Sequence, residues 1–302
     1  MARRTTYVDE TLTPQIAGGR TRIQRTYWQA ARRRLVRDPV SMGCISILSL
    51  MVAAAIFAPW ITPHDPYVTS IVNRLKPVGT PGYLLGTDEL GRDMLTRLIY
   101  GGRISLLMGL LPIAVATLFG SVLGVVAGYF GGKTNMIIMR VADVFFAFPS
   151  VLLAVGLAGA LGAGVVNVLI SLSLVFIPPI TRVAEAATTQ IRTQDFVEAA
   201  RATGASAPRI IIGHVMTNVS SPILTYASSL IGLSIVLASG LSFLGLGMSP
   251  PLADWGLMLN TLRQSIYLAP VNAVLPGVMI LIASVCFNLL SDGLRTAMDV
   301  KP

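Results

Sequence analysis

The sequence predicts an all-α membrane protein with six transmembrane helices, and two observations predict it. Of the 302 residues, 53% are hydrophobic and only 12% are charged, whereas about 25% are charged in an average soluble domain. The apolar residues cluster in runs of about 20, the length that spans a bilayer core at a rise of 1.5 Å per residue. A soluble domain of this length could not bury so much apolar surface, so we exclude one.

The chain begins with a basic segment over 1–39, which contains the stretch RTRIQRTYWQAARRRLVRD. This stretch predicts a basic helix that lies along the membrane surface, and a solvated tail is the alternative. Because 39 residues precede the first apolar run and that run is long enough to cross the bilayer, we expect no cleaved signal peptide.

Apolar runs define the six predicted spans, which are 40–61, 104–129, 136–160, 165–182, 220–243 and 271–290. Proline lacks a backbone N–H and its ring clashes with the preceding turn. We therefore expect Pro112, Pro149, Pro178 and Pro179 to kink their helices.

The distribution of basic residues predicts the orientation. With the N-terminus in the cytoplasm, the inside segments hold 17 Lys and Arg residues and the outside segments hold 6. The positive-inside rule then places both termini in the cytoplasm. The net charge of +9 is thus explained by topology, and no nucleic-acid partner is needed.

Two predicted outside segments are too long to be simple turns. The segments 62–103 and 244–270 mix Gly, Pro and polar residues with aromatic residues. Such composition fits short surface helices at the outer interface, where Trp255 and Tyr267 would serve as aromatic anchors.

No catalytic or metal-binding constellation appears in the sequence. Cys44 and Cys286 each lie in an apolar run, and His64 and His214 have no ligand cluster around them. Two separate thiols indicate neither a disulfide framework nor a metal site. We expect a chain that is not an enzyme.

One stretch comes close to a nucleotide-binding motif. AGYFGGKT, over 127–134, approaches the phosphate-binding loop G-x-x-x-x-G-K-[ST], with Ala127 at the first glycine. That loop needs a preceding buried strand and a helix whose N-terminus faces the phosphates. Here the stretch ends a span, so we reject nucleotide binding.

The same span carries glycines at a spacing of four residues, namely Gly120, Gly124, Gly128 and Gly132. On a helix this spacing makes a smooth stripe that another helix can approach closely. It predicts a packing seam in a multi-helix bundle.

Asp143 is the main charged residue within a predicted span. Intramembrane charges are costly and are functional candidates by default. Arg140 lies three residues earlier on the same helical face, so we favour a structural ion pair over an ion or proton site.

A polar, glycine-broken stretch, DFVEAARATGASAPRIIIGHV, separates the fourth and fifth spans. Thr193 is expected to cap a short helix with Asp195 near its positive end, and Gly204 to end it. Ser206 with Pro208 is expected to begin the next helix. Small residues on its surface would let a partner approach the backbone closely, while Glu198 supplies an anchoring charge. The element suits docking into a cleft of another protein.

EAARATG resembles the EAA motif, E-A-A-x-x-x-G, of ATP-binding-cassette (ABC) importer permeases, and Glu198, Ala199, Ala200 and Gly204 match it. The motif's tail departs, because Thr217 stands where the peptide-importer version H-[IV]-L-P-N has proline. This departure concerns the local helix start, for which Pro222 could compensate.

Four further stretches are similar to the C-type permease of dipeptide and oligopeptide importers. They are LLGTDELGRDMLTRLIYGGRISLLMGL, MRVADVFFAFPSVLLAV, LSFLGLGMSPPLADWG and FNLLSDGLRTAMD. The resemblance covers nearly the whole chain. The first stretch carries an extracytoplasmic structural motif, formed by Asp88, Gly91, Arg92 and Asp93.

The resemblance implies a type I ABC importer permease fold in a bacterial cytoplasmic membrane. It divides the chain into the basic segment over 1–39, the first span with an extracytoplasmic segment over 40–103, and a permease core over 104–302 with a coupling loop at about 186–217. The ATPase-coupling residues carried over are Glu198, Ala199, Ala200, Arg201, Gly204 and Ala205.

The partners implied are a homologous B-type permease, two cytoplasmic ATP-binding subunits and an extracytoplasmic solute-binding protein. ATP and Mg²⁺ would bind to the ATP-binding subunits and no cofactor to this chain. The implied substrates are di- and oligopeptides, with glutathione, a nickel chelate or another small solute as alternatives. A secondary carrier that works without ATPase partners is a remote alternative, and no substrate-contacting residue is predicted.

Overall fold

The structure is a computed structural model that describes residues 27–298, and residues 27–31 without their side chains. These residues form helices and no β-strand. The α-helices are α1 (Tyr27–Arg37), α2 (Pro39–Ile56), α3 (Ala58–Ile61), α4 (Met94–Phe130), α5 (Gly132–Phe146), α6 (Ser150–Leu161), α7 (Val165–Ile191), α8 (Asp195–Ala202), α9 (Ala207–Ile210), α10 (Met216–Phe243), α11 (Trp255–Leu262) and α12 (Pro270–Met298).

Five helical segments are long and apolar enough to cross a bilayer. They are α2, α4, α7, α12 and the continuous helix Ala207–Phe243, in which the π-helical turn Ile211–Val215 joins α9 to α10. A sixth span exists only if α5 and α6 are counted together, and they meet at 89°. The prediction of an all-α membrane protein is confirmed.

The predicted kink at Pro149 is confirmed and is a full break, so the predicted span over 136–160 consists of two helices, α5 and α6. The chain breaks between Phe146 and Ser150, where Pro149 adopts an extended conformation (φ −56°, ψ 129°). Proline cannot donate the hydrogen bond that would continue the helix, and it disfavours the helical conformation in the residue before it. By contrast, α4 continues through Pro112, and α7 continues through Pro178 and Pro179.

Four spans are longer than the apolar runs that predicted them. The second begins at Met94 rather than at 104, the fifth begins at Ala207, the fourth continues to Ile191 and the sixth continues to Met298. Hydropathy detects only the part of a helix that lies in the hydrocarbon core of the bilayer, whereas backbone hydrogen bonding continues the helix into polar turns. These extra turns carry charged residues that the sequence assigned to loops.

The glycines of α4 lie against α7. A side chain at Gly120 would come within 3.0 Å of Ile180, and one at Gly128 within 2.6 Å of the Thr188 Cβ. At Gly124 it would collide with the Thr181 carbonyl oxygen. The absence of side chains on this stripe is what lets the two helices approach closely.

Gly132 does not extend this stripe. It has a φ of +51°, is exposed, and has no atom within 4 Å of the position of a Cβ. The reason is that α4 ends at Phe130 and Gly131 reverses the backbone with a φ of +65°. Gly132 therefore begins α5 and falls out of register with the other three glycines.

The largest apolar core lies between α4, α7 and α10, and a second core surrounds Trp255 between α4, α11 and α12. Helix α4 runs between the two ends of the bundle. We call the end near Met94 and α11 the loop end, and the end near Phe130 and α8 the EAA end. The functional candidates lie at these two ends.

We expect Gly124→Ala to lower the stability of the folded bundle, because the added methyl group meets the α7 backbone. Overpacking of this kind costs about 1–3 kcal/mol. Thermal unfolding of the detergent-solubilised protein measures the effect. Gly156→Ala on α6 is the matched control, since no atom lies within 4 Å of its added Cβ. Equal melting temperatures for the two variants would contradict the close packing of α4 against α7 at Gly124.

Candidate functional site

The EAA segment, residues 193–206, lies at the end of α7 and consists mainly of α8. Asp195 and Glu198 lie in the first turn of α8, where the helix dipole favours acidic residues. The predicted cap at Thr193 is wrong. Gln194 occupies the cap position without a side-chain hydrogen bond, and the Thr193 hydroxyl instead donates to the Gln190 carbonyl oxygen at 3.3 Å. The Thr193 hydroxyl is therefore bonded to the last turn of α7 and does not cap α8.

Helix α8 has one buried and one exposed face. Val197 is completely buried in the main core, and Ala200 packs against that core. Glu198, Ala199 and Arg201 are exposed. Burial of Val197 fixes the orientation of the helix, so the first two residues of the motif face away from the bundle.

Gly204 ends the helix in the left-handed region, with a φ of +81°. Its N–H donates to the Arg201 carbonyl oxygen at 2.9 Å, and the Ala205 N–H donates to the Ala200 carbonyl oxygen at 3.1 Å. This turn favours glycine, since a Cβ is strained at this φ. No atom lies within 4 Å of where a Cβ would be, so the surface beside Gly204 is open.

After the turn, the chain enters the continuous helix Ala207–Phe243, which has 37 residues. The helix starts at Ala207, with Ser206 at its cap position and Pro208 in its first turn, as predicted, and Pro222 lies inside α10. Thr217 lies inside the helix Ala207–Phe243, so the departure from the motif at this position does not coincide with a helix start, and Pro222 compensates for none. The π turn ends at Val215, before Thr217, and the Asn218 side chain donates to the His214 carbonyl oxygen at 2.7 Å.

Polar contacts made by side chains of α7 and α8 connect the helices at the EAA end. The Asn135 amide of α5 donates to the Glu185 carboxylate at 2.6 Å. Arg192 donates through Nη1 to the Gly128 carbonyl oxygen at 3.0 Å. The guanidinium of Arg201 lies 5.2 Å from the centre of the Tyr129 ring. Glu185 and Arg192 were missed in the sequence because the fourth span was ended at 182.

Asp143 pairs with Arg182 of α7, and the predicted pair with Arg140 is wrong. Arg182 also lies 4.7 Å from the centre of the Phe146 ring. Helices α5 and α7 are packed together, so the inter-helix partner is available to Asp143, and Arg140 is exposed. The outcome is a structural pair that links two helices.

At the loop end, buried charges form a compact network that we call the loop-end network: Asp88, Glu89, Arg92 and Arg97. Arg92 donates to Asp88 at 2.6 Å and to Glu89 at 2.9 Å, and the Arg97 Nε lies 3.2 Å from the Asp88 carboxylate. The side chains of Asp88, Arg92 and Arg97 are each about 2% exposed. Buried charges are stable only when paired in this way.

Asp93 and Gly91 shape the start of α4. The Asp93 carboxylate accepts the Thr96 N–H at 2.9 Å and so caps the helix. Gly91 has a φ of +78°, and a side chain there would collide with the Ser70 carbonyl. Together with Asp88 and Arg92, they form one structural unit in the place where the sequence indicated a motif.

Trp255 does not lie at the surface as predicted. It is 1% exposed, and its indole N–H donates to the Leu98 carbonyl oxygen at 2.9 Å. The buried Ser105 hydroxyl joins Asp254 to the Trp255 backbone, with distances of 2.6 and 3.0 Å. The helix α11 therefore folds into the bundle, whereas Tyr267 is 96% exposed.

A polar cleft of about 450 Å³ lies between α10 and α12 near the EAA end. Its lining includes Ser221, Thr225, Tyr226, Ser229, Ser291, Asp292 and Arg295. Within residues 32–298, no group of three or more His, Cys, Asp or Glu side chains could hold a metal ion. Cys44 and Cys286 pack in one small apolar cluster and are both free thiols.

Comparison with known proteins gives matches over nearly the whole chain. A family described as "Binding-protein-dependent transport system inner membrane component" matches residues 120–301. A second, "N-terminal TM domain of oligopeptide transport permease C", matches residues 26–77.

Individual relatives cover more than nine tenths of the chain. The glutathione transport system permease protein GsiD of Pectobacterium atrosepticum is 37% identical over 93% of this chain and 94% of its own. The dipeptide transport system permease protein DppC of Alkalihalophilus pseudofirmus is 37% identical over 91% and 90%. GsiD of Escherichia coli O6:K15:H31 is 39% identical over 92% and 91%.

The loop-end network predicts a pH dependence of stability. Burial, and to a lesser extent the Asp88 charge, raise the pKa of Glu89 above its usual value of 4.5. The folded state therefore binds the Glu89 proton more tightly than the unfolded state does. The contribution of Glu89 to stability is present below pH 4.5, and it is lost as the pH rises through the pKa that Glu89 has in the folded state.

We expect Glu89→Gln to raise the melting temperature at pH 8 relative to wild type and to leave it nearly unchanged at pH 4. The amide keeps an acceptor for Arg92 without the buried charge. Asp65→Asn is the control, because Asp65 is exposed and lies outside the network. A gain for Glu89→Gln that is equal at both pH values would contradict the assignment of the pKa shift.

Proposed function

The chain belongs to the family of binding-protein-dependent transport system inner membrane components and is an ABC importer permease subunit; on this premise we propose that it forms half of a path for short peptides. The proposed assembly pairs it with a homologous B-type permease. Two ATP-binding subunits lie on its cytoplasmic side, and an extracytoplasmic binding protein delivers the substrate.

The observation that carries this proposal is the open surface of the EAA segment. Glu198 and Ala199 point away from the bundle, and the space beside Gly204 is empty. A buried Val197 holds that surface in place. A rigid, exposed helix with a side-chain-free turn suits close docking into a groove on an ATP-binding subunit.

We assign no catalytic step to this chain. ATP and Mg²⁺ belong, in this proposal, to the ATP-binding subunits, and hydrolysis drives the two permeases between inward-open and outward-open states. The near match to a phosphate-binding loop supports no nucleotide site, because residues 127–130 lie within α4 and no strand precedes them in the described chain.

The proposed substrates are short peptides, and glutathione is supported as well as dipeptides are. Relatives named for glutathione are 37% and 39% identical to this chain, and a relative named for dipeptides is 37% identical. Both kinds of cargo are short, charged and polar. The polar cleft between α10 and α12 has hydroxyl and charged groups suited to such cargo, and we propose that it contributes to the path.

The proposed orientation places the EAA end and both termini in the cytoplasm of a bacterial cell. It rests on the excess of basic residues in the segments at that end. The loop-end network then faces the binding protein.

Reconstitution of the whole assembly in proteoliposomes, with both permeases, both ATP-binding subunits and the binding protein, tests the function. We expect ATP-dependent accumulation of a labelled dipeptide or of labelled glutathione, each measured in a separate arm, and none with a non-hydrolysable ATP analogue. Uptake by this chain alone, driven by an ion gradient, would instead indicate a secondary carrier. Accumulation of neither cargo by an active ATPase complex would overturn the peptide assignment.

Two substitutions at Gly204 separate backbone strain from docking. Gly204→Ala and Gly204→Trp share the strain of a Cβ at a φ of +81°, which costs about 1 kcal/mol. Only tryptophan adds bulk to the open surface. We expect the tryptophan variant to lose ATP-dependent uptake while it still pairs with the partner permease, and the alanine variant to retain most uptake. Equal uptake by both variants would argue against docking at this turn.

A further inference from the structure

Helix α4 connects the EAA segment directly to the loop end. It has 37 residues without a break, which corresponds to a length of about 55 Å at 1.5 Å per residue. At its first turns, Arg97 donates to the Pro66 carbonyl oxygen at 3.1 Å and to the Pro251 carbonyl oxygen at 3.2 Å. The segment before α4 that contains Pro66 and the segment before α11 that contains Pro251, which we call the loop-end segments, are thus both attached to this one helix.

At the EAA end, two arginines contact α4, namely Arg192 just before α8 and Arg201 in the last turn of α8. Arg192 donates to the Gly128 carbonyl oxygen at 3.0 Å, and its guanidinium occupies the space that a side chain at Gly131 would need. The last carbonyl groups of a helix lack intrahelical partners and carry negative partial charge. Arg192 therefore satisfies the end of α4 both as a donor and as a cation.

Arg201 makes the second contact. It is exposed on α8, yet its guanidinium lies 5.2 Å from the centre of the Tyr129 ring. The Tyr129 side chain is 9% exposed and is part of the main core. A cation over an aromatic face is attracted by the ring quadrupole. Arg201 thereby joins the EAA segment to a residue that is fixed inside the bundle.

We propose that Arg192 and Arg201, acting on Gly128 and Tyr129, form a clamp through which a displacement of α8 moves α4 and, with it, both loop-end segments. The inference rests on the proposed function, since the displacement would come from the ATP-binding subunits. Arg192 and Arg201 are positioning residues in this scheme. Arg201 faces the bundle through Tyr129, which distinguishes its role from that of the outward-facing Glu198.

The test measures the number of substrate molecules transported per ATP hydrolysed by the reconstituted complex. Tyr129→Leu removes the aromatic face, whereas Tyr129→Phe keeps it. Arg192→Gln removes the cation from the end of α4. Arg140→Gln is the control, because Arg140 is an exposed arginine of α5 outside the clamp.

We expect Tyr129→Leu and Arg192→Gln to lower the transport-to-hydrolysis ratio about fivefold or more, the lower limit of usual coupling between two sites. ATP hydrolysis should stay within about twofold of wild type, since the nucleotide sites lie on other subunits. Tyr129→Phe and Arg140→Gln should keep the wild-type ratio. A purely structural role would reduce assembly, hydrolysis and transport together.

A double-mutant cycle of Arg201→Ala and Tyr129→Leu tests whether the two residues act through each other. We expect the double variant to be no worse than Tyr129→Leu alone, because independent effects would add. Losses of the transport-to-hydrolysis ratio that add in the double variant would overturn the contact between Arg201 and Tyr129. An unchanged ratio in Arg192→Gln would overturn the clamp. If Tyr129→Leu does not assemble, Arg192→Gln decides the outcome.

The failure of the clamp is distinguishable from the failure of the proposed function. Absence of ATP-dependent uptake by the wild-type complex would contradict the function. Tight coupling in the wild type together with equally tight coupling in Arg192→Gln and Tyr129→Leu would contradict the clamp alone.

Discussion

The close approach of α4 and α7 is the contact on which the rest of the structure depends. Gly120, Gly124 and Gly128 remove the side chains that would separate the two helices. In a bilayer, lipid tails are as apolar as leucine, so association is favoured mainly by close packing and by polar contacts between helices. The seam supplies the close packing, and at its end Arg192 reaches the last turn of α4.

Charges in this protein are concentrated at the two ends of the bundle. The loop-end network joins two arginines and two carboxylates with little exposure, and Arg182 and Glu185 join α7 to α5 toward the EAA end. Between these ends, the helices carry hydroxyl groups that donate to carbonyl oxygens four residues earlier, such as Ser173 and Thr181. This arrangement avoids the cost of an unpaired charge in hydrocarbon and leaves α4 as an uninterrupted connection between the charged ends.

Much of the architecture was predictable because it depends on local patterns. Apolar runs locate the spans, and the glycine spacing locates the seam except at Gly132. The sequence also places Gly204 at the end of α8, which its φ of +81° agrees with. Partners of charged residues were not predictable. Asp143 binds Arg182 rather than Arg140, because the choice depends on which helices are neighbours.

By itself, the sequence determined that this is a helical membrane protein and which ABC importer permease family it resembles, because hydropathy and ordered motifs are properties of the chain alone. Only the tertiary structure decided that Trp255 is buried, that the third span breaks by 89°, and that Arg192 and Arg201 hold the end of α4. Each of these depends on contacts between residues far apart in sequence. The packing of the helices creates those contacts.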